Sequence, residues 1–494
     1  MPDCLLALDQ GTHASRAVLF DLSGRVLARR VEPLHSQAPA PGWVEQDPEE
    51  IWLGSLRAAR GALADARAAA GDVAAVGIAN QRETLVVWEA ETGRAVAPAL
   101  VWQDRRGQDL CRELAEAATA ADLAVRTGLR LDPYFTATKL LWLLRARPEL
   151  AAAARAGRLR AGTVDSWLIH RLTVGGRFAT DPSNASRTLL YDLDRQAFSP
   201  DLCDLFEVPP AMLPEVLPSA GSFGVTAAAE LGIRARITGV LGDQQAALLG
   251  QGCLDAGEAK DTFGTGAFLL ASAGPRRPTS RHGLLTTVAW DFGAGPAYAL
   301  EGSAFMAGAL LDWLVDLGLA RSPADLDRLA CETPPGHGVV VLPAHQGLGA
   351  PWWQADVRGA IWGLTLASGR GAVARAALEA IAHQAADLAD AMAADMGRPL
   401  GALRIDGGVA RSQLLPQLIS DLTGLRVLRS RDHEATARGA AFAAGIGAGL
   451  LQPADVSAFG GDRDAFEPSL AAAARGGERQ RWRAAVGALG ALPS

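Results

Sequence analysis

The chain runs Leu5-Leu-Ala-Leu-Asp9-Gln-Gly-Thr12-His-Ala-Ser-Arg16-Ala-Val-Leu-Phe20 near its start, and this segment predicts two strands joined by a tight turn. The strands cover Leu5–Leu8 and Arg16–Phe20, because both are apolar and a polar, glycine-containing turn separates them. A third strand over Val26–Arg30 follows the next turn. The chain therefore opens as a β-meander.

The first turn of the meander carries residues suited to a phosphate group. Gly11 lets backbone N–H groups approach an anion, and Thr12 adds a hydroxyl donor. Asp9 can hold Mg²⁺ directly or through water. A plain hairpin made of turn residues is the alternative interpretation.

A second segment repeats this pattern in the later part of the chain. Asp261-Thr-Phe-Gly-Thr265-Gly266 is followed by an apolar strand over Ala267–Ala271. Two Gly/Thr loops, one in each half, suit the phosphate chain of a nucleotide better than one turn does. Chance alone can produce one such match, so two unrelated hairpins remain the alternative.

Strands and helices alternate along the chain, which favours an α/β protein with a cleft between two similar halves. Asp47 is a helix N-cap followed by Pro48 at the first helical position. Thr84–Trp88 and Ala97–Trp102 predict a strand pair. Prolines interrupt regular structure within residues 208–250, where we expect a boundary.

Composition excludes several classes of protein. The 494 residues carry a net charge of -7, which argues against a nucleic-acid partner. Lys139 and Lys260 are the only lysines, and neither completes a P-loop. No apolar stretch is long enough for membrane insertion, and Gly439–Leu451 reads as a tightly packed helix. Five cysteines without C-x-x-C spacing suggest a reducing, cytoplasmic location.

Three further motifs place polar groups where a strand ends. Gly242-Asp243-Gln244 offers a carboxylate that could accept a hydroxyl proton, or merely cap a helix. Gln81-Arg82-Glu83 offers donors and acceptors for a polyol, or a solvated ion pair. Asp406-Gly-Gly408 lets the backbone approach an adenine nucleoside, or forms an ordinary strand-to-helix turn.

The chain resembles the FGGY family of carbohydrate kinases over about Leu5 to Gly447. The resemblance implies a two-lobed, actin-like ATPase (ribonuclease H-like) α/β fold that holds ATP, Mg²⁺ and substrate in the cleft between the lobes. It also implies an N-terminal domain over 1–247 and a C-terminal domain over 248–494. The motifs that carry it are Leu8-Asp-Gln-Gly-Thr12, Pro41-Gly-Trp-Val-Glu45, Asn80-Gln-Arg-Glu-Thr84, Val101-Trp-Gln103, Asp132-Pro-Tyr-Phe135, Gly162-Thr-Val-Asp165, Asn184-Ala-Ser-Arg187, Gly242-Asp-Gln-Gln-Ala-Ala-Leu248, Thr262-Phe-Gly-Thr-Gly266, Gly283-Leu-Leu-Thr-Thr287, Ala299-Leu-Glu-Gly302, Gly347-Leu-Gly-Ala-Pro351 and Asp406-Gly-Gly408.

The same resemblance implies roles for individual residues. Asp243 falls on the catalytic base, and Asp9 with Asp243 falls on the Mg²⁺ site. The polyol clamp is formed by Arg82, Glu83, Tyr134 and Gln244. The apolar wall of the polyol site is formed by Trp102 and Phe268. The nucleotide contacts are Thr12, Arg16, Thr265, Gly308 and Gly408.

Four nucleotide-side residues depart from the family pattern. His13-Ala14 replaces hydroxyl residues of the first loop, Asp312 stands where Gln is usual, and Ser412 stands where Asn is usual. An imidazolium at His13 could compensate only if it is protonated. A loop variant with the same backbone contacts is the alternative.

The resemblance implies ATP-dependent phosphorylation of glycerol to sn-glycerol 3-phosphate, by a homodimer or homotetramer. Glycerol has little apolar area, so its recognition must come from paired polar groups. The altered first loop leaves open a kinase for another small polyol or sugar. A non-catalytic binding protein is a third possibility, although Asp9 and Asp243 are both present.

Overall fold

The computed structural model describes residues 4–67, 72–117, 120–354, 356–431, 434–459 and 462–490. The strands are β1 Cys4–Gln10, β2 Ala14–Asp21, β3 Val26–Pro33, β4 Glu45–Gln46, β5 Val73–Asn80, β6 Val86–Glu89, β7 Ala99–Leu100, β8 Leu159–Gly162, β9 Ala179–Thr180, β10 Tyr191–Asp192, β11 Ala197–Phe198, β12 Glu215–Val216, β13 Gly224–Val225, β14 Arg236–Gly242, β15 Ala259–Phe263, β16 Ala267–Gly274, β17 Leu285–Asp291, β18 Pro296–Ala304, β19 Val340–Leu342, β20 Ala360–Trp362, β21 Leu403–Asp406, β22 Val427–Ser430 and β23 Arg463–Phe466.

The helices vary in length from single turns to one of 27 residues. They are α1 Pro48–Asp65, α2 Gln108–Ala117, α3 Ala120–Thr127, α4 Thr136–Ala146, α5 Pro148–Arg155, α6 Val164–Leu172, α7 Pro182–Ala185, α8 Pro200–Leu205, α9 Ala228–Leu231, α10 Asp243–Gly250, α11 Gly308–Asp316, α12 Pro323–Glu332, α13 Arg370–Met396, α14 Leu415–Thr423, α15 Ala435–Gly447, α16 Val456–Phe459 and α17 Ala472–Gly490. None of the helices in the described ranges has the length and hydropathy needed to span a bilayer.

Each half of the chain builds one mixed sheet, and the two sheets define a first and a second lobe. The first has the order β13-β14-β5-β1-β2-β3 and the second β17-β18-β16-β15-β21-β22-β23. In both, a meander of antiparallel strands is extended by two parallel strands: β3-β2-β1-β5-β14 matches β18-β16-β15-β21-β22 in order and direction. The internal repeat predicted from the two Gly/Thr segments is confirmed.

Helix α1 covers one face of the first sheet, as its sequence predicts. The Asp47 carboxylate accepts a hydrogen bond from the backbone N–H of Glu49 at 2.9 Å, which satisfies one of the free donors at the helix start. Trp52, Leu56 and Ala59 lie one helical turn apart and are all buried against the strands. The predicted N-cap and apolar face are both confirmed.

The predicted pairing of Thr84–Trp88 with Ala97–Trp102 forms only in part. Leu85 and Leu100 exchange backbone hydrogen bonds of 3.0 Å, but β6 forms its ladder with β8, and β7 forms its ladder with β4. Pro98 lies two residues before Leu100, and a proline has no N–H to donate to a ladder. The hairpin is therefore irregular.

Helix α15 comes from the later half of the chain but packs against the first sheet. A methyl group at Gly77 on β5 would lie 2.1 Å from the Ala440 carbonyl oxygen, and one at Gly239 on β14 would lie 2.3 Å from the Ala444 amide nitrogen. Only glycines allow backbones to approach so closely. The tightly packed helix predicted in this region is confirmed.

The last helix, α17, is held on α13 by a buried polar cluster. The Arg479 guanidinium donates to the backbone oxygen of His383 at 2.9 Å and to the Asp387 carboxylate at 2.5 Å. The indole of Trp482 stacks on the His383 ring, with centroids 5.0 Å apart, and donates to Asp387 at 2.8 Å. Burial, with help from the positive charge of Arg479, lowers the pKa of His383 from 6.5 to about 3.

Candidate active site

Three parallel strands of the first sheet end side by side, and their ends carry the polar motifs predicted from the sequence. Gln10 at the end of β1 is in register with Asn80 of β5, which is in register with Gly242 of β14. Ligands of open α/β sheets bind at the carboxyl ends of such strands. This register brings Arg82, two residues beyond β5, close to Asp243, the first residue of α10.

Arg82 lies between two carboxylates. Its Nε is 3.3 Å from Asp243 Oδ1, while Nη1 and Nη2 donate to the two carboxylate oxygens of Glu301 at 2.5 and 3.2 Å. Arg82 is buried, whereas 26% of the Asp243 side chain remains exposed. The carboxylate of Asp243 is therefore open on one side, and the arginine fixes its orientation on the other.

A second arginine completes this buried charge network. The Arg187 guanidinium donates to Glu83 at 2.6 Å and to Glu301 at 3.0 Å, and all three side chains are essentially inaccessible to solvent. Burial alone would raise the pKa of Glu301, but Arg187 and Arg82 lower it to about 2. Buried charges persist only when they are paired in this way. The network holds Arg82 and Glu83 in fixed positions.

The backbone at Glu83 has an unusual conformation. Its φ is +60°, in the left-handed region that residues other than glycine seldom adopt. The Thr136 hydroxyl donates to the Glu83 carbonyl oxygen at 3.2 Å, and Arg187 holds the side chain. Such strain persists where the surroundings determine the conformation, often at a functional site.

Asp243 has the electrostatic properties expected of a proton acceptor. Burial raises its carboxyl pKa above the ordinary value, and the positive charges of Arg82 and Lys260 oppose that increase. Its Oδ1 also accepts the backbone N–H of Gln244 at 2.7 Å. A carboxylate with a raised pKa is a stronger base than an exposed aspartate.

Three aromatic rings line the space beside this network. The Trp102 ring makes edge contacts with Tyr134 and Phe268, with centroids 5.8 and 6.3 Å apart. The Trp102 indole N–H donates to the Thr12 hydroxyl at 2.9 Å, which connects the wall to the first Gly/Thr turn. Phe268 lies on β16, so the second lobe contributes one of the three rings.

Lys139 holds the turn that presents Tyr134. Its ammonium group is completely buried and donates to the backbone oxygens of Pro133, at 3.0 Å, and of Tyr134. Burial lowers the pKa of this lysine to about 8, although the negative charges of Glu83, Asp104 and Asp132 oppose the decrease. The lysine therefore positions an aromatic residue of the site.

The first Gly/Thr turn carries Asp9, which lies in the same electrostatic environment as Asp243. Burial raises the Asp9 pKa to about 6; Arg16, whose Nη1 is 3.6 Å away, opposes this, and the charge of Asp243 adds to it. Within the described ranges, no group of three or more His, Cys, Asp or Glu residues could hold a metal ion. Two carboxylates without a full cage fit Mg²⁺, which usually completes its shell with water and phosphate oxygens.

His13 lies at the exposed edge of the same turn. Its backbone oxygen accepts from the Leu34 N–H at 2.9 Å, so the backbone of this variant loop is anchored to the chain that follows β3. The Thr12 carbonyl oxygen accepts from Gln46 at 2.6 Å. These contacts fix the loop conformation without the His13 side chain.

The second Gly/Thr turn packs on the start of α11. The Thr265 carbonyl oxygen accepts the N–H groups of Ala307 and Ala309 at 2.9 and 3.1 Å, and the Gly264 oxygen accepts that of Gly308 at 2.9 Å. A methyl group at Gly308 would lie 2.6 Å from the Gly264 oxygen. Gly308 therefore permits the close contact that joins the turn to the helix.

The Gly407-Gly408 turn presents two glycines that differ in environment. Gly407 has a φ of +94°, and a methyl group there would lie 2.3 Å from the Phe263 carbonyl oxygen. Gly408 has an ordinary φ of -62°, and a methyl group there would meet nothing within 4 Å. Of these two residues, the fold requires glycine at Gly407 but not at Gly408.

The other two departures from the family pattern on the nucleotide side, Asp312 and Ser412, have different surroundings. Asp312 is exposed on α11, one turn beyond Gly308. The Ser412 hydroxyl donates to Asp327 and accepts the N–H groups of Leu414 and Leu415 at 3.1 and 2.9 Å. Ser412 thus secures the start of α14, in addition to any contact with a nucleotide.

Comparison with known proteins identifies the family of the chain. Models of the N-terminal and C-terminal domains of the FGGY family of carbohydrate kinases match residues 4–250 and 259–448. The chain belongs to the FGGY family of carbohydrate kinases. It is 48% identical to a glycerol kinase from Aromatoleum aromaticum, over 98% of each chain. It is 49% identical to a glycerol kinase from Thermus brockianus, over 98% of this chain and 97% of that one.

A solved FGGY structure confirms the architecture. The crystal structure of Plasmodium falciparum glycerol kinase with ADP superimposes with a TM-score of 0.92 at 32% identity, and covers 98% of each chain. The expected two-lobed, actin-like ATPase fold is confirmed. The division of the chain at residues 247 and 248 stays a prediction.

Three charged residues of this FGGY site were not among the predicted site residues. Arg187 and Glu301 complete the buried network, and Lys260 donates to Gln244 across the lobes. Glu301 lies in a largely apolar strand, where a charge is costly unless it is paired, and Lys260 is buried in β15 beside Asp261. That conflict between residue type and surroundings was the available signal.

Proposed function

We propose that this FGGY kinase transfers the γ-phosphoryl group of ATP to a terminal hydroxyl of glycerol, giving ADP and sn-glycerol 3-phosphate. One observation carries the proposal: the partly exposed carboxylate of Asp243 lies 3.3 Å from Arg82, and Arg82 is joined through Glu301 to the Arg187–Glu83 pair. The two glycerol kinases at 48% and 49% identity, matched over nearly their whole length, support glycerol as the substrate.

Asp243 is the proposed general base. Its carboxylate takes the proton of the glycerol hydroxyl while that oxygen bonds to the γ-phosphorus, and the bond from phosphorus to the bridging oxygen breaks to release ADP. The raised pKa of Asp243 favours this transfer, and Arg82 keeps the carboxylate oriented before the proton arrives. Phosphoryl transfer needs little more than such positioning and charge stabilisation.

The polyol clamp combines donors with acceptors. Arg82 and Gln244 donate, Glu83 accepts, and the Tyr134 hydroxyl can do either. Trp102 and Phe268 cover the carbon chain, which has little apolar area of its own. An alcohol that lacks one hydroxyl leaves a clamp residue without its partner and is rejected.

The nucleotide is proposed to lie along the two Gly/Thr turns. Thr12 and Arg16 contact the phosphates from the first lobe, Thr265 and Gly308 contact them from the second, and the nucleoside fills the open space at Gly408. His13, Asp312 and Ser412 remain proposed nucleotide contacts. Asp9 and Asp243 would hold Mg²⁺, which when bound offsets negative charge on the transferring phosphoryl group.

A substrate panel tests the proposal. Purified protein with ATP and Mg²⁺ is assayed for ADP release with glycerol, propane-1,2-diol, a pentulose and a hexonate. Glycerol is expected to give the highest kcat/KM, with propane-1,2-diol lower by about 10⁴-fold. A stereospecific sn-glycerol 3-phosphate dehydrogenase should oxidise the product.

Two other results would replace the proposal. Preferred turnover of the pentulose or hexonate would make the chain an FGGY kinase for another substrate. Calorimetric binding of nucleotide and glycerol without ADP release would indicate a binding protein on the same fold.

Assembly and location complete the proposal. We expect a homodimer or homotetramer in the cytoplasm, without a nucleic-acid partner. Light scattering on the purified protein measures the assembly, and fractionation of cells that express it measures the location.

A further inference from the structure

Lys260 is a buried charge whose only part in the proposed phosphoryl transfer so far is its electrostatic effect on Asp243. It lies on β15 of the second lobe, with no exposure to solvent. Its ammonium nitrogen donates to the Gln244 side-chain oxygen, to the Thr262 hydroxyl at 2.9 Å and to the Phe268 carbonyl oxygen at 3.3 Å. Three acceptors match the three N–H groups of an ammonium.

The contact with Lys260 fixes which way the Gln244 amide faces. An ammonium group can only donate, so the atom facing it must be the amide oxygen and not the NH₂ group. The NH₂ group makes no hydrogen bond with another residue in the described ranges. Gln244 is half-buried and directly follows Asp243 in the chain, so its NH₂ group is available to a substrate bound beside Asp243.

We propose that Lys260 is a positioning residue that makes Gln244 present a donor, rather than an acceptor, to a hydroxyl oxygen of the substrate. The proposal rests on the proposed polyol kinase function and adds a determinant of specificity from the opposite lobe. Gln244 follows β14 of the first sheet, whereas Lys260 belongs to the second sheet. The orientation of one clamp residue therefore depends on contact between the lobes.

The geometry separates this role from direct binding of phosphate. All three ammonium donors have protein acceptors, so none is left for a phosphate oxygen. Lys260 acts on the polyol through Gln244, so its effect on KM for the polyol should vanish when Gln244 is removed. Interactions that pass through one partner give strongly non-additive variants.

A double-mutant cycle with Lys260→Met and Gln244→Leu tests the proposal in steady-state kinetics. Lys260→Met is expected to raise KM for glycerol about three- to tenfold, the loss of one ordinary hydrogen bond, with kcat changed less than about twofold. In the Gln244→Leu background, Lys260→Met should raise KM by less than about twofold. Equal effects in both backgrounds would overturn the proposal.

Two further variants control for folding and charge. Lys260→Gln keeps an NH₂ donor that can face Gln244, and is expected to hold KM within about twofold of the unmodified chain. Arg112→Met removes an exposed charge on α2, outside the proposed site, and should leave KM unchanged. A KM for Lys260→Gln as high as that of Lys260→Met would contradict the proposal, as would a loss of kcat alone.

The cycle does not depend on glycerol being the substrate. If the panel selects another polyol, the same four proteins are assayed with that polyol. Failure of the glycerol proposal and failure of the Lys260 proposal are then separate results.

Discussion

Glu301 of the second lobe accepts hydrogen bonds from Arg82 of the first with both carboxylate oxygens, at 2.5 and 3.2 Å. The same carboxylate accepts from Arg187 at 3.0 Å. One buried anion from β18 thus holds both Arg82 of the proposed polyol clamp and Arg187, the partner of Glu83. The pocket is preorganised by a residue that need not touch the substrate.

Replacing Glu301 by Gln should therefore weaken both the fold and the polyol site. Removing one partner of a buried ion pair costs about 3 to 5 kcal/mol, because the remaining charges lose their compensation. We expect the free energy of unfolding in urea to fall by about 3 kcal/mol and KM for glycerol to rise. The control is Glu332→Gln, which breaks an exposed pair with Arg328 and should cost less than about 1 kcal/mol. Equal losses in the two variants would contradict this account.

Replacing Asp243 by Asn should abolish transfer while the substrate still binds. The amide keeps the size of the side chain but cannot take the hydroxyl proton, so kcat is expected to fall about 10²- to 10⁴-fold. Glycerol binding, followed by fluorescence of Trp102 and the other tryptophans, should change by less than about tenfold, because Arg82 and Glu83 remain paired. Near-normal turnover would remove Asp243 as the base.

Gly407 and Gly408 provide a matched pair for the nucleotide site. Gly408→Ala adds a methyl group to open space at an ordinary φ, so thermal stability should be unchanged while KM for ATP rises. Gly407→Ala forces a contact with the Phe263 oxygen at a φ of +94°, so it should lower the free energy of unfolding by more than about 1 kcal/mol. An unaltered KM for ATP in Gly408→Ala would place the nucleoside elsewhere.

His383 predicts a loss of stability in acid. Its pKa is lower in the fold than the ordinary 6.5, so the unfolded chain binds the proton first and stability falls as the pH drops from about 6.5 toward 3. At pH 5 the loss amounts to about 2 kcal/mol relative to pH 7. Urea unfolding at both pH values should give a smaller difference for His383→Gln. An identical pH dependence in that variant would exclude His383 as the cause.

The sequence predicted what depends on local chemistry. The two Gly/Thr segments, the Asp47 helix start and the packed Gly/Ala helix all follow from residue type and spacing within a few turns of chain. The pairing of Glu301 with Arg82 joins residues 219 apart, and nothing in either neighbourhood specifies the other. Such contacts need the register of both sheets, which the pattern of a single strand does not contain.

The candidate site likewise has features that the sequence predicted and features that only the structure shows. The closeness of Arg82 to Asp243 was expected from the resemblance, and the structure supplies the 3.3 Å distance. The second use of the Ser412 hydroxyl, in holding the start of α14, depends on Asp327 from a separate helix. The irregular hairpin near Pro98 was open to prediction, because a proline cannot complete a ladder.

The placement of α15 sets an order of events during synthesis. The strands β1, β5 and β14 leave the ribosome long before residues 435–447, yet α15 forms a large part of the apolar cluster on one of their faces. The apolar surface that α15 covers therefore stays exposed in the nascent chain until most of the protein has been translated. Expression of the first half by itself would therefore yield an aggregation-prone, incompletely folded product.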